Sequence, residues 1–550
     1  MTYLLFPGRH LVTTAFQDSY LRRVIQMPLA ELGWLDGAEA PALPPIDQIV
    51  FAITSANQEH SRYNPIPLHV RAIGVDRFAR SLEMTFGLRY RIIGIPHYRR
   101  TPRFARYVLQ EITEQTEGNL QLTPDNCVVL CCTPAVNQLY QELGFSILPA
   151  EAGESPKPAT PNDLIKRLAE VGDSWQTDSY LRQNLSAAAL DLWQDFPDVP
   201  RRVIRLWRDP LLNDAGSLTD ERDYAAYAYG MSNQEIIAVK YNDIKELLRP
   251  GKIVDEGCAD GALLAAIARD MPDSDLIGIE ITGEFMARAR ERQRAGGFGG
   301  SYVHFHQRNI TQPIFAEQTV DTTICNSTIH ELFSYGAGET TVHAYLALKY
   351  AQTRKGGRLV IRDVVGPTGK GQEVYAWLNR ADGHEDDIFR SCADGAALAE
   401  HLGGLSTYAR FKRFGRDFQA ELRQAGQLPA DSQLTFREEL IDGEPYIVTN
   451  LQTIAEYLSK KDYLANWQSE MFESFTFWEF DEWKAALTTA GFYVLENPNE
   501  PDQSSRVYCN PWIVANRYEG KVRLYRRDAR GALQPLPFPE TNIILVGERR

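Results

Sequence analysis

Short runs of consecutive apolar residues alternate along the chain with longer stretches in which apolar positions recur every three or four residues. The first kind reads as buried strand and the second as amphipathic helix. In the first third the strand-like runs are TYLLFPG, DQIVFAITSA, RYRIIGIP and NCVVLCC, separated by helical stretches such as VNQLYQELG. That alternation predicts a parallel α/β domain over residues 1–190, with a Pro/Ser/Gly-containing loop at 150–163. Residues 191–248 read as a helical connector rich in Trp and Tyr, including YAAYAYGMSNQEIIAVK.

A second alternation begins at Arg249. KIVDEG, DLIGIEI, SYVHFHQRN, DTTICNST and RLVIRDVV read as strands, with ALLAAIARDM, GEFMARARERQRAG and HAYLALKYAQTRKGG as helices between them. This is a βαβ series of the doubly wound kind. Residues 366–476 interrupt it with helical and aromatic stretches, after which DEWKAALTTAGF and YVLENP restore helix and strand. VYCNPWIVANRY reads as an antiparallel last strand, and 519–550 as a β-hairpin tail. The predicted fold class is therefore α/β with two Rossmann-like doubly wound domains. The second, over 249–518, is expected to hold a seven-stranded sheet and a helical cap insertion.

Composition changes this picture little. At 550 residues the chain is too long for one core, which fits two or three domains. A net charge of −14 disfavours broad attraction to nucleic acid or membrane, although the basic stretch at 89–106 keeps RNA in view. No apolar run approaches the roughly 18 residues that span a bilayer. The start, MTYLLFPGRHLV, has no basic n-region and reads as a first strand. Cys127, Cys131 and Cys132 lie in an apolar run without CxxC spacing, so reduced core thiols and a cytoplasmic location are expected.

Candidate chemistry concentrates in the second alternation. In VDEGCADG an acidic residue closes a strand, Gly257 makes the turn and Gly261 opens a helix. Glycine is needed where backbone approaches a ligand closely or takes positive φ. The spacing is G-x-x-x-G, not the G-x-G-x-x-G that seats a dinucleotide pyrophosphate. Glu280 closes the next strand, where a carboxylate can accept both hydroxyls of a ribose, and Asn309 ends the third, within reach of an adenine amine. In these residues the stretch from about 225 to 518 resembles the class I S-adenosylmethionine (SAM)-dependent methyltransferases. VDEGCADG resembles their first motif, GIEI their ribose motif and RNI their adenine motif. Ala259 departs from the middle glycine often seen, and Asn309 from the acid. The resemblance implies SAM as cofactor, held by Asp255, Glu256, Gly257, Cys258, Ala259, Asp260, Gly261, Glu280, Ile281, Asn309, Ile310 and Asn326, with Asp255 or Glu256 near the methionine ammonium.

The fourth strand, DTTICNSTIHEL, would then face the methyl donor, so Asn326, Ser327, His330 and Glu331 are placed to touch substrate. His330 is the candidate general base, with Glu331 to orient its ring and Asp363 as a second candidate in the cleft. The competing readings are a histidine that only packs the following helix and an ordinary strand-end carboxylate. His304 and His306 share one strand face but lack a third ligand, and HEDD at 384–387 reads as a solvated loop, so no metal ligand is assigned. Trp377, Tyr408, Trp467, Phe475, Phe477 and Trp478 are read as a cap over a small organic substrate, or alternatively as plain core.

The first domain resembles the nucleotidyltransferases related to nicotinamide-mononucleotide adenylyltransferase over about 1–190. Ser55, Ala56, His60, Asn64, Pro65 and Arg71 match that family's strand-loop-helix block, and Thr133, Pro134 and Val136 a later turn. The family's H-x-G-H falls on Thr14, Ala15, Phe16 and Gln17, and His10 could substitute only through a shifted loop. The departure implies no adenylyl transfer, with a nucleotide-like ligand or a docking role left open. The expected function is methylation of a small-molecule acceptor. The alternatives are aminocarboxypropyl transfer or cyclisation, a bifunctional nucleotidyltransferase, and a non-catalytic SAM or nucleotide sensor.

Overall fold

β1 (Thr2–Gly8) is apolar on both faces because both are covered: Leu4 and Phe6 enter one hydrophobic core, Leu5 the other. The computed structural model describes residues 1–97, 101–218, 234–388, 395–429, 431–497 and 499–550. It divides into two units, Met1–Gly216 and Ser217–Arg550. In the first, β1 is central to a parallel sheet with β2 (Ile46–Thr54), β3 (Arg89–Ile95), β4 (Cys127–Leu130) and β5 (Ile147–Leu148), ordered β3-β2-β1-β4-β5. Cys127, Cys131 and Cys132 are free thiols beside it. The helices Pro161–Val171, Ala187–Asp195 and Asp198–Arg208 pack around Trp175 and Trp193 in the same unit. The early part of the expected connector is thus core of the first unit, while its YAAYAYGMSN stretch lies outside the described residues, as do Arg99 and Arg100.

The second unit opens with β6 (Lys252–Glu256), β7 (Asp275–Glu280), β8 (Val303–Gln307), β9 (Val320–Asn326) and β10 (Thr353–Asp363), all parallel. The chain continues through β11 (Glu373–Leu378), β12 (Arg437–Ile441), β13 (Glu444–Asn450), β14 (Tyr493–Val494), β15 (Arg506–Tyr508), β16 (Val522–Arg527), β17 (Leu533–Leu536) and β18 (Asn542–Glu548). The large sheet runs β14-β18-β10-β9-β6-β7-β8, and β15 shares the outer edge of β18.

Two expectations change here. The antiparallel last strand is β18, drawn from the expected tail, and not VYCNPWIVANRY. That segment contributes only the three-residue β15, because Asn510 caps a helical turn starting at Pro511. NIILVG is buried throughout, as an interior strand must be, whereas proline cannot donate to a ladder. The insertion is not simply helical: β11, β12 and β13 join β16 and β17 in an antiparallel sheet ordered β12-β13-β11-β16-β17. Helices including Thr407–Asp417 and Leu451–Lys460 cover one face, so Tyr408 and Trp467 are core of this layer. Among the described residues no helix is long and apolar enough to cross a membrane.

Candidate active site

At the end of β6 the strand's two-residue alternation sends Asp255 and Glu256 to opposite faces. Glu256 is buried against Lys349 Nζ at 2.5 Å and accepts the Tyr345 hydroxyl at 2.7 Å. Its charge is paired inside the fold. Asp255 is also buried, and its carboxyl is pushed up to about 7 by burial, aided by Glu280 and Glu256 and opposed by Lys240.

The loop that follows holds Gly257 at φ 77°, Ala259 at 46° and Gly261 at 76°. A Cβ on Gly257 would stand 2.3 Å from Thr328 Oγ1, so the loop and the end of β9 approach as backbone alone allows. Cys258 turns its thiol into the core, leaving only its backbone to the loop. Asp260 pairs with Arg292 at 2.5 Å and caps the amide of Ala262, so it is structural. Glu280 closes β7 and accepts from the amides of Ala259 at 3.0 Å and of Ile281 and Thr282 at 2.8 Å. Burial raises its carboxyl above the usual range although these amides oppose it. Asn309 follows β8, buried, with its Oδ1 accepting from the amide and hydroxyl of Thr311 at 2.9 Å; Ile310 is buried beside it.

On the other side of β6, β9 ends at Asn326, Ser327 turns at φ 54°, and the helix Ile329–Tyr335 begins. Asp363, at the end of β10, is the organiser of this turn. Its Oδ2 accepts from the amides of Thr328 and Ile329 at 3.2 and 2.8 Å. Its Oδ1 accepts from the Val364 amide at 2.8 Å and lies 2.6 Å from His330 Nδ1. Asp363, and not Glu331, therefore orients the imidazole. Burial alone would lower the His330 pKa, but the carboxylates of Asp363, Glu473 and Glu331 outweigh it and push it up to about 9.

Glu473 is the site residue that the sequence pattern did not reveal. It sits on a strap after the helix Trp467–Phe472, fully buried, with Oε2 3.6 Å from His330 Nε2 and Oε1 accepting the Tyr335 hydroxyl at 3.1 Å. The strap is pinned from below by an ion pair on one helix, Glu456 with Lys460 at 2.9 Å. Glu456 accepts from the amides of Phe475 and Thr476 at 2.9 Å. Lys460 donates to the carbonyls of Glu470 and Glu473. From above, the Ser474 amide donates to Ser334 Oγ at 2.9 Å, and that hydroxyl donates to the His330 carbonyl at 2.6 Å. Phe475 meets the imidazole edge to face, with centroids 4.6 Å apart. The available signal was a Glu and a Lys four apart in the helix LQTIAEYLSK, whose other residues carry no charge, since buried charges of this kind hold something.

The discounted groups are elsewhere. His304 and His306 are exposed on β8. In HEDD, Glu385 pairs with Arg380, while Asp387 is met by His401 at 2.9 Å, Arg413 at 3.0 Å and Arg416 at 3.1 Å.

In the first unit several polar side chains near the corresponding strand ends are engaged within the fold. Thr14 caps the helix Ala15–Gln26 by accepting from the Gln17 amide at 3.0 Å, and Gln17 Nε2 donates to buried Glu151 at 2.9 Å. Arg71 is buried and donates to the carbonyls of Arg9, Thr54 and Ser55. His10 is bound to the Phe6 carbonyl at 3.0 Å, and burial drops its pKa to about 4. The cavity lined by His10, Arg71 and Trp193 measures about 10 Å³, the room of one water.

Residues 249–410 match the family model described as a methyltransferase domain. A SAM-dependent methyltransferase from Methanosarcina mazei is 13% identical with a TM-score of 0.28, over 56% of this chain and 96% of its own. One from Mesorhizobium loti is 11% identical with a TM-score of 0.30, over 58% and 100%. No curated protein matches the chain. At such scores the structural likenesses add no weight, and the assignment rests on the family model. The chain carries a methyltransferase domain over residues 249–410 and is a methyltransferase, with SAM as its cofactor.

Proposed function

We propose that this enzyme methylates a small-molecule acceptor seated between His330, the Glu473 strap and the aromatic side chains around Phe475. The observation that carries the reading is the Asp363–His330–Glu473 line, built at the carboxyl ends of β9 and β10 beside the glycine loop. Ligands of open α/β sheets bind at that end. The chain's residues fit the cofactor: a positive-φ glycine loop at Gly257 and Gly261 that presents backbone, a buried acid at Asp255 suited to an ammonium, and a carboxylate at Glu280. In this reading Glu280 takes the ribose hydroxyls, Asn309 the adenine, and the loop backbone with Ile281, Ile310 and Asn326 lines the site. When bound, SAM supplies an electrophilic methyl group on a sulfonium. His330 and Glu473 hold the acceptor by hydrogen bonds, and the buried strap excludes water, so that rate comes chiefly from positioning.

The first unit, in the same reading, is a nucleotidyltransferase-like fold without adenylyl transfer, because Gln17, Thr14 and Glu151 consume one another where triphosphate would need donors. The test is calorimetric titration of the full chain with SAM and, separately, with ATP. Expected is saturable SAM binding, weakened about 100-fold or more in Glu280→Ala by loss of a charge-assisted pair. SAM affinity unchanged in that variant would sink the site. Release of pyrophosphate from ATP supplied together with nicotinamide mononucleotide as adenylyl acceptor would sink the view of the first unit.

A further inference from the structure

We infer that His330, Glu331 and Glu473 form a binding site for one divalent transition-metal ion of the manganese, iron or zinc kind. The inference goes beyond methyl transfer and does not depend on it.

One ligand atom from each of the three residues lies within 4.8 Å of the other two. His330 Nε2 and Glu473 Oε2 stand 3.6 Å apart. Atoms bound to one ion at about 2.1 Å stand about 3 to 4.2 Å apart, so the three need close only slightly to share one. A pair at 3.6 Å is too long for a hydrogen bond and of the right size for an edge of a coordination sphere.

The second observation is the state of the imidazole. Its side chain is more than nine-tenths buried, its Nδ1 is engaged by Asp363 at 2.6 Å, and its Nε2 lies 3.6 Å from Glu473 Oε2. A histidine that ligates a metal uses this arrangement: the far ring nitrogen is fixed by a carboxylate, which sets the tautomer and raises ligand basicity. Asp363 is itself immobilised by three backbone amides, so the ring cannot swing. Glu473 arrives from a different element, on a strap that the Glu456–Lys460 pair holds in place. Three carboxylates thus face one imidazole, a charge balance that a dication improves.

One imidazole with two carboxylates is too nitrogen-bearing for magnesium or calcium, which favour all-oxygen shells, and suits manganese, iron or zinc. Three protein ligands leave coordination positions open to an oxygen of the acceptor.

The experiment uses the full chain after treatment with a chelator. Mn²⁺ is titrated in and the free ion followed by electron paramagnetic resonance, with Zn²⁺ followed by calorimetry in parallel. One equivalent per chain is expected for at least one ion, with affinity falling about 100-fold in Glu473→Gln and in His330→Gln. Glu331→Gln, at a partly exposed position, serves as the variant whose folding is safest; thermal midpoints are recorded for all three. Absence of saturable binding of either ion would overturn the inference, as would stoichiometric binding unchanged in the folded variants. SAM is titrated separately. SAM binding without metal would fail the metal site alone, and metal binding without SAM would fail the methyl-transfer reading alone.

Discussion

The two units put parallel sheets of the same general kind to opposite ends. At the strand carboxyl ends of the first, each polar side chain described above is spent on the fold: Gln17 on Glu151, Arg71 on three carbonyls, His10 on Phe6. At those of the second, acids are gathered: Asp255, Glu280 and Asp363 are buried at the ends of β6, β7 and β10, with Glu280 and Asp363 held by backbone amides and Asp363 also by His330. Burying acids is costly unless something compensates. A sheet that keeps them at its ligand end is built for a ligand, and a fold alone implies none.

The largest expected effect is on the strap. Glu456→Ala leaves Lys460 buried without its partner and two amides unsatisfied, so unfolding stability should fall by about 3–5 kcal/mol, read by chemical denaturation. A loss below about 1 kcal/mol would mean that the ion pair does not hold the strap.

Asp363→Asn comes next. It keeps the size of the side chain but loosens the imidazole, and kcat should fall about 100-fold while SAM affinity stays within about twofold. Equal losses in both would make Asp363 a structural residue of the cofactor cradle.

A smaller effect is expected from pH. Asp255 has its carboxyl near 7, and an ammonium ligand requires the ionised form. SAM affinity should be flat above that pH and fall toward about tenfold per unit below it, with proton uptake by buffer on binding. The sign for folding is the reverse: a carboxyl raised above its unfolded value contributes stability at low pH that is lost as pH rises through about 7. Affinity constant from pH 5.5 to 8 would remove Asp255 from the ammonium site.

The smallest effect separates the units. Gln17→Ala leaves Glu151 buried without its donor and should cost about 1–3 kcal/mol, with SAM binding unchanged. Gln17→His should still release no pyrophosphate from ATP with nicotinamide mononucleotide as acceptor, because Glu151 would face the triphosphate; turnover would show that the first unit is only lightly disabled.

The chain's own order of residues determined much of this. The βαβ series, the glycine turn at 257–261 and the polar residues closing β6, β7, β8 and β9 are local patterns, legible because strand and helix periods and positive-φ turns are written in neighbouring residues. The tertiary structure alone decided the rest. Only pairing could draw NIILVG out of the tail and set it beside β10, and only the face of β6 on which Glu256 falls could spend its charge on Lys349. Ser474 meets Ser334 across 140 residues, and by that contact Glu473 reaches His330. No local pattern encodes such a meeting, because its free energy comes from buried partners that the fold brings together.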